Sequence, residues 1–221
     1  MFDLSSKIII ITGGAGLLGS RLAEIIISNN GTPIILDNDN KKIVKLKKNV
    51  NKKNLIECHK VDITNKKQIK NTINKIYKKH KKIDCLINNA GYNPKLGLKN
   101  NKFENFTIKQ WEKEIQIGLT GSLVVTQETV KKMIKQRNGN IINISSDLGV
   151  IAPNQSLYSK NNKKPISYSV VKHGIIGFSK YLATYLAEYN IRSNTLCPGG
   201  ISNNQPKEFL SKIKKLIPLK R

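Results

Sequence analysis

An apolar run, Lys7-Ile-Ile-Ile-Ile-Thr12, stops at Gly13-Gly14-Ala15-Gly16-Leu17-Leu18-Gly19, four glycines within seven residues. The β-branched run reads as a buried strand, the glycines as a tight turn, and the residues that follow as the start of a helix. Gly14, Gly16 and Gly19 fit the G-x-G-x-x-G spacing. In that spacing the first glycine permits the turn, the second lets backbone approach a pyrophosphate, and the third lets helix pack on strand. A phosphate bound there meets unpaired N–H groups at a helix N-terminus. Gly13, Gly16 and Gly19 satisfy an overlapping spacing, T-G-x-x-G-x-x-G. Glycine-rich turns also close ordinary strand-helix corners, so the rest of the chain has to decide between ligand and corner.

Downstream the pattern repeats. Ser20 to Ser28 carries Leu22, Ala23, Ile25, Ile26 and Ile27, enough to cover a sheet, and Asn29-Asn30-Gly31 ends that helix. Pro33 to Asp37 reads as a second strand finishing on a carboxylate 21 residues after Gly16. At that distance a dinucleotide fold places the acid that accepts hydrogen bonds from the adenosine ribose. Asp37 also repels a 2′-phosphate, which favours NAD(H) over NADP(H), with only Lys41 and Lys42 close enough to counter it. The competing reading is a strand-end aspartate that merely caps the next helix. Leu55 to Val61 forms a third strand before Asp62-Ile63-Thr64, and Asn65 to Lys82 a lysine-rich helix with Ile69, Ile73, Ile76 and Tyr77 on one face. Ile83 to Ile87 forms a fourth strand and Asn88-Asn89-Ala90-Gly91 follows it. Tyr92 to Thr107 is irregular, Gln110 to Gln136 a long helix around Trp111, Leu119 and Met133, Asn140 to Ser146 a fifth strand, and Ile191 to Leu196 a sixth. Strands alternating with helices predict an α/β fold, a doubly wound parallel sheet with helices on both faces.

At 221 residues and 38% hydrophobic content the chain supports one domain over 1–221. No apolar run approaches the ~18 residues of a membrane span, and no signal peptide opens the chain, so a cytoplasmic location is expected. Cys58, Cys85 and Cys197 are far apart and lack metal-ligand spacing, so buried free thiols and no metal are expected. The formal net charge of +25 raises polyanions as partners. Only four of the 39 basic residues are arginine, however, and no nucleic-acid motif is present. A solvated basic surface is expected, with no specific nucleic acid and at most weak, salt-sensitive polyanion binding.

Thr12-Gly13-Gly14-Ala15-Gly16-Leu17-Leu18-Gly19, Asp62, Asn88-Asn89-Ala90-Gly91, Ser145-Ser146, Tyr168-Ser-Val-Val-Lys172 and Pro198-Gly199-Gly200-Ile201 occur in one order along nearly the whole chain. In that conjunction the chain resembles the short-chain dehydrogenase/reductase family. The resemblance implies a single-domain Rossmann-like fold and hydride transfer between NAD(H) and a carbinol or carbonyl carbon of a small polar substrate. It also implies a homodimer or homotetramer. The cofactor is expected along Gly13, Gly14, Gly16, Leu17, Leu18 and Gly19, with Asp37 at its ribose. Asp62 and Ile63 are then expected at the adenine, Asn89, Ala90 and Gly91 beside the central strand, and Pro198, Gly199 and the Ile201 backbone at the nicotinamide carboxamide. The family usually carries an asparagine in a proton relay where this chain has Gly118. That departure puts a four-member catalytic set in doubt, leaving Ser146, Tyr168 and Lys172.

Ser146 matches the family's substrate-positioning serine, with Ser145 the fallback. Tyr168 and Lys172 stand one helical turn apart on one face. Tyr77 and Lys81 show the same spacing but lie on a polar helix far from any strand-end loop; Tyr158 lies nearer to Ser146 in sequence, but Asn162 follows it rather than lysine. A phenol of pKa ~10 is a poor base at neutral pH, and a neighbouring ammonium lowers that pKa. Lys172 is therefore expected to tune Tyr168 for acid-base work and, by the resemblance, to hold the nicotinamide ribose.

The interval from Ser146 to Tyr168, 22 residues, is longer than the family's usual one. Its surplus, Ala152 to Pro165, brings Tyr158, Lys160, Lys163 and Lys164 to the expected substrate mouth; it reads as a specificity loop for an anionic sugar or sugar phosphate, or as a solvated insertion. Residues 147–167 and 202–217 are the expected substrate loops, the second containing a helix from Lys207 to Ile217. Together with Gly118 and Gly199-Gly-Ile-Ser-Asn-Asn-Gln-Pro206, the long interval resembles a subgroup of the family linked to flagellin modification and nonulosonate-type sugar biosynthesis. Family members continue past Pro218 with a further helix and strand, so a C-terminally truncated domain lacking its last strand is expected. The alternative function is a catalytically silent dinucleotide- or sugar-binding module.

Overall fold

The structure, a computed structural model, describes residues 3–50, 56–92, 102–158 and 163–220. In chain order it contains β1 (Ile8–Thr12), α1 (Leu17–Ser28), β2 (Thr32–Asp37), α2 (Asn40–Asn49), β3 (Glu57–Lys60), α3 (Lys66–His80), β4 (Cys85–Asn88), α4 (Ile108–Ile115), α5 (Gly121–Gln136), β5 (Gly139–Ile144), α6 (Ile166–Tyr185), β6 (Ile191–Leu196) and α7 (Lys207–Leu216). The six strands form one sheet in the order β3-β2-β1-β4-β5-β6, and every pairing is parallel. The order reverses between β1 and β4, which opens a crevice at the carboxyl ends of those two strands.

The isoleucine run of β1 is apolar on both faces because both faces are covered. Ile8 and Ile10 pack with Ile69, Ile73 and Ile76 of α3 and Met133 of α5. Ile9 and Ile11 face the opposite layer, with Ala23, Ile26 and Ile27 of α1 and Leu46 of α2. Alternate residues of a strand point to opposite sides, so each isoleucine is committed to one layer. Ile10, Ile11, Ile34, Ile35 and Leu36 are completely excluded from solvent. Removing one such side chain to alanine costs about 2–5 kcal/mol.

The expected elements are all present, with shifted ends. The third strand is shorter than Leu55 to Val61, because only Glu57 to Lys60 pair with β2; Leu55 lies outside the described residues. The fourth pairs over Cys85 to Asn88, and Asp84 precedes it with its carboxylate accepting from the Ile8 N–H at 2.8 Å. Ser145 and Ser146 lie past the end of β5. α1 starts at Leu17 because Gly16 is its N-cap. α2 has no counterpart in the sequence reading: five lysines and two asparagines surround Ile43 and Leu46, and the Asp39 carboxylate caps it by accepting from the N–H groups of Lys41 and Lys42. The long helix is broken by a π-helical turn, Gln116–Thr120, between α4 and α5, and Trp111 is only partly buried. Of the three thiols only Cys85 is buried; Cys58 and Cys197 are partly exposed, since the short edge strand β3 and the loop after β6 are covered on one side only. Residues 93–101 of the irregular segment, and Lys160 and Asn162 of the insertion, lie outside the described residues.

Candidate active site

The strand-end loops converge at the carboxyl edge of the sheet. Gly13 has φ +59°, and a Cβ there would come within 2.9 Å of the Ala90 Cα, so both conformation and space require glycine. The glycine turn is tied to the loop after β4 by two residues. The Thr12 hydroxyl accepts from the N–H groups of Asn89 and Ala90, each at 3.0 Å. Asn89 Nδ2 donates to the carbonyls of Thr12 (3.0 Å) and Gly13 (3.1 Å). Asn89 therefore sets the shape of the crevice, and Thr12, absent from the expected cofactor contacts, is its partner. Gly19 lies directly beneath the Gly13 carbonyl, where a side chain would overlap it.

The residues fit a dinucleotide. Gly16 gives α1 no side-chain cap and no acidic residue occupies its first turn, so the N–H groups around Leu17 and Leu18 face no competing carboxylate. Asp37, 8% exposed, accepts from the Ala15 N–H at 3.1 Å through one oxygen and from the Asp39 N–H at 3.0 Å through the other. Its carboxylate thus stands against the glycine turn, and the capping role that competed for it belongs to Asp39. Asp62 is exposed, and one of its oxygens accepts from the N–H and hydroxyl of Thr64. Ile63 is buried against Gly121, where an added Cβ would fall 2.6 Å from Ile63 Cδ1. Gly91 opens onto free space.

Across the crevice, the two serines separate. Ser145 Oγ donates to the Lys172 carbonyl at 2.7 Å, fastening the end of β5 to α6. Ser146 Oγ donates to Asp147 Oδ1 at 2.7 Å and accepts from the Leu148 N–H at 3.2 Å, and it stands near enough to Tyr168 to favour the charged form of the phenol. Lys172 Nζ donates to the Ile144 carbonyl at 2.9 Å and stands 5.7 Å from the Tyr168 ring centroid. Burial draws its ammonium down to about 8. The Tyr168 phenol departs from expectation: burial pushes it above its usual range, the neighbouring Ser146 hydroxyl pulls it back, and the Asp147 carboxylate adds to the rise. Desolvation of the phenolate is the largest influence.

The insertion supplies a further cation. Lys164 Nζ lies 3.5 Å over the Tyr168 ring, held by a clasp in which the Lys164 N–H donates to Gln155 Oε1 (3.0 Å) and Gln155 Nε2 donates to the Lys164 carbonyl (3.1 Å). Burial, then the Lys172 charge, lowers its ammonium to about 8, with Asp147 and Glu114 opposing. Tyr158 meets Phe209 of α7 at 5.5 Å between centroids, so the insertion packs against the C-terminal helix. Pro198 accepts from the Asp147 N–H at 3.0 Å, which brings Pro198, Gly199 and Ile201 to the same edge; Ile201 is exposed. Sequence reasoning missed Thr12, Asp147 and the buried carboxylate of Glu114. For Asp147 the signal was adjacency to Ser146, while Glu114 gave none in a helix rich in charge.

Comparison with known proteins agrees with this geometry. The family described as short chain dehydrogenase matches residues 7–213. Post-translational flagellin modification protein A of Campylobacter coli is 35% identical over 96% of this chain and 84% of its own length. The 3-oxoacyl-[acyl-carrier-protein] reductase FabG of Aquifex aeolicus is 32% identical over 99% of this chain and 85% of its own. Among solved structures, a short chain dehydrogenase from Leptospira borgpetersenii with bound NAD+ superposes with TM-score 0.88 at 33% identity, covering 99% of this chain and 81% of that one. ElxO with NADP bound superposes with TM-score 0.82 at 26% identity over 97% and 83%. A crevice at the β1/β4 reversal, a serine-tyrosine-lysine cluster facing a glycine turn, and a family match over almost the entire chain lead to one assignment: the protein belongs to the short-chain dehydrogenase/reductase family, an oxidoreductase of the kind acting on CH–OH groups.

Proposed function

We propose that the chain interconverts a carbonyl and a carbinol on a small polar substrate using NAD(H) in preference to NADP(H). The observation that carries this reading is the grouping of Ser146, Tyr168 and Lys172 at one edge of the sheet, with Lys172 one turn along α6 from Tyr168 and 5.7 Å from its ring, across the crevice from the glycine turn. Gly13, Gly14, Gly16, Leu17, Leu18 and Gly19 hold the pyrophosphate. Asp37 accepts from the adenosine ribose and disfavours a 2′-phosphate; Asp62 and Ile63 border the adenine. Ala90, Gly91, Pro198, Gly199 and Ile201 frame the nicotinamide side, and Asn89 holds that frame in shape. The cofactor, when bound, supplies or accepts the hydride.

Tyr168 exchanges the proton of the substrate oxygen, and Ser146 positions that oxygen by hydrogen bonding. Lys172 is anchored by the Ile144 carbonyl and keeps two further donors for the ribose hydroxyls and the proton path. Residues 147–167 and 202–217 shape the substrate pocket. Lys164 over Tyr168 supports a substrate with an acidic group, such as a sugar acid or sugar phosphate, and the likeness to a flagellin modification protein supports a glycan precursor. A cytoplasmic setting accords with three free cysteines. The exposed Tyr181–Tyr185 stack on α6 supports self-association as a dimer or tetramer, which light scattering measures.

Fluorescence titration with NADH and NADPH, followed by a turnover screen of keto-sugars, sugar phosphates and a 3-oxoacyl thioester, tests the proposal. NADH should bind the more tightly, and Tyr168→Phe should abolish turnover while leaving NADH binding intact. Turnover retained in Tyr168→Phe would refute the assignment. NADH binding with no turnover across the panel would favour a silent binding module.

A further inference from the structure

Ser146 has a single hydroxyl proton, and it is spent on its neighbour: Oγ donates to Asp147 Oδ1 at 2.7 Å. The Leu148 N–H bonds both oxygens, Ser146 Oγ at 3.2 Å and Asp147 Oδ1 at 2.8 Å. The carboxylate is held from behind as well. The Asp147 N–H donates to the Pro198 carbonyl at 3.0 Å, and a Cβ at Gly149 would lie 2.7 Å from the Lys172 carbonyl oxygen, so the turn Asp147–Gly149 is clamped between the loop after β6 and α6. Asp147 itself is half-buried, and its second oxygen, Oδ2, lies 3.9 Å from where a Cβ on Gly199 would stand, on the nicotinamide side of the crevice.

This arrangement limits what Ser146 can hold. A carbonyl oxygen is only an acceptor, so Ser146 can bind one only by withdrawing its proton from a carboxylate, and hydrogen bonds to a carboxylate are about twice as strong as neutral ones. A ketone flanked by methylene groups brings no donor in exchange and leaves Asp147 short of one. A hydroxyl on the carbon next to the carbonyl supplies it. Oxygens on neighbouring carbons, in a gauche or eclipsed arrangement, stand about one hydrogen-bond length apart, which matches the 2.7 Å between Ser146 Oγ and Asp147 Oδ1. Resting on the oxidoreductase reading above, we propose that Asp147 is a specificity-determining residue that accepts from a hydroxyl adjacent to the reacting carbon, so that the substrate is an α-hydroxy ketone or, in the reverse direction, a vicinal diol, as in sugars and polyols.

The exchange moves hydrogen bonds and no atoms. The neighbouring hydroxyl donates to Asp147 and keeps its proton throughout. Ser146 Oγ, relieved of Asp147, turns its own proton to the carbonyl oxygen, and Tyr168 protonates that oxygen in the hydride-transfer step. The substrate thereby readies the serine that holds it, whereas an analogue without the hydroxyl does not. Charge around Tyr168 also orients the substrate. Asp147 stands on the Ser146 side and Lys164 Nζ stands 3.5 Å over the Tyr168 ring. The hydroxyl therefore belongs toward Asp147, and an acidic group, where the substrate has one, toward Lys164.

Two matched pairs of ring compounds test this on the full chain. 2-Hydroxycyclohexanone is compared with cyclohexanone in NADH-dependent reduction, and trans-1,2-cyclohexanediol with cyclohexanol in NMR titration of the NAD+-loaded protein. Sites that hydrogen-bond a substrate hydroxyl reject the analogue lacking it by up to about 10⁵-fold, and with Asp147 half-buried the wild type should favour the hydroxy ketone at least about 100-fold in kcat/KM. The diol should bind at least about tenfold more tightly than cyclohexanol. Asp147→Ala leaves the Leu148 N–H its bond to Ser146 Oγ and frees the serine proton without help from the substrate. Cyclohexanone turnover should then rise about tenfold while that of the hydroxy ketone falls and the NADH Kd holds. A misfolded variant cannot show that gain. Preference for the diol in binding, with neither ketone reduced, would sink the oxidoreductase reading and leave Asp147 as the hydroxyl acceptor. Equal kcat/KM for the two ketones, equal binding of diol and cyclohexanol, or a wild-type preference unchanged in Asp147→Ala would each overturn the proposal.

Discussion

Ser145 and Ser146 are neighbours with the same side chain, and the fold gives them different work. The Ser145 hydroxyl closes a bond to the Lys172 carbonyl, while Ser146 faces Tyr168 and Asp147. Ser145→Ala removes the bond that ties the end of β5 to the second turn of α6 and should cost about 1 kcal/mol of stability, visible as a lower urea midpoint with turnover little changed. Ser146→Ala should do the reverse: the Leu148 N–H still has Asp147 Oδ1 at 2.8 Å, so stability holds, while kcat falls about 100–1,000-fold. Equal kcat losses in the two variants would show that the serines share the role. At this scale the sequence was informative where chemistry needs a particular residue at a particular spacing. Gly13 and Gly19 were legible because only glycine fits their turn. Thr12 and Glu114 were not, because a threonine ending a strand and a glutamate on a charged helix are common and only their partners give them meaning.

Between elements, the coupling of α4, the π-helical turn and α6 was beyond the pattern. Apolar spacing from Gln110 to Gln136 describes one continuous helix, and a π turn changes the phase of that spacing without adding a residue type that marks it. α2 was hidden for the opposite reason: lysine and asparagine crowd two buried residues, Ile43 and Leu46, and the cap at Asp39 was masked by the stronger motif at Asp37. The contact of Gly118 with Val171 offers a measurable check on how the π-helical turn and α6 are spaced. Gly118→Ala drives a Cβ into Val171 and should destabilise by about 1–3 kcal/mol. Val171→Ala makes room, so the double variant should recover at least about 0.5 kcal/mol relative to additivity in urea unfolding. Strict additivity would mean that the helices move apart rather than repack.

For the molecule as a whole, the sheet was the most legible feature, since strand-helix alternation and the glycine turn both demand a parallel, doubly covered sheet; the strand order was not legible and is seen only in the structure. Charge was legible as a total but not as a distribution. The formal net charge of +25 includes Lys164 and Lys172, two ammonium groups packed around Tyr168 and each drawn down to about 8. Their unfolded-state values lie near 10.4. From about pH 8 upward the folded chain therefore releases protons that the unfolded chain still holds, and stability rises with pH. A smaller opposite drift sets in from about pH 8, where the unfolded thiol begins to ionise, because burial pushes the Cys85 thiol up to about 12, so the folded chain keeps a proton the unfolded chain loses; the two lysines outweigh it up to about pH 9. The urea midpoint of the cofactor-free protein should thus increase between pH 7.5 and 9. Self-repulsion among surface lysines contributes in the same direction but is screened by salt, so the part due to the two buried lysines is the part that survives in 0.5 M NaCl. Lys164→Met should raise the midpoint at pH 7.5 and flatten the salt-resistant rise; an unchanged slope in that variant would place the pH dependence on the surface instead.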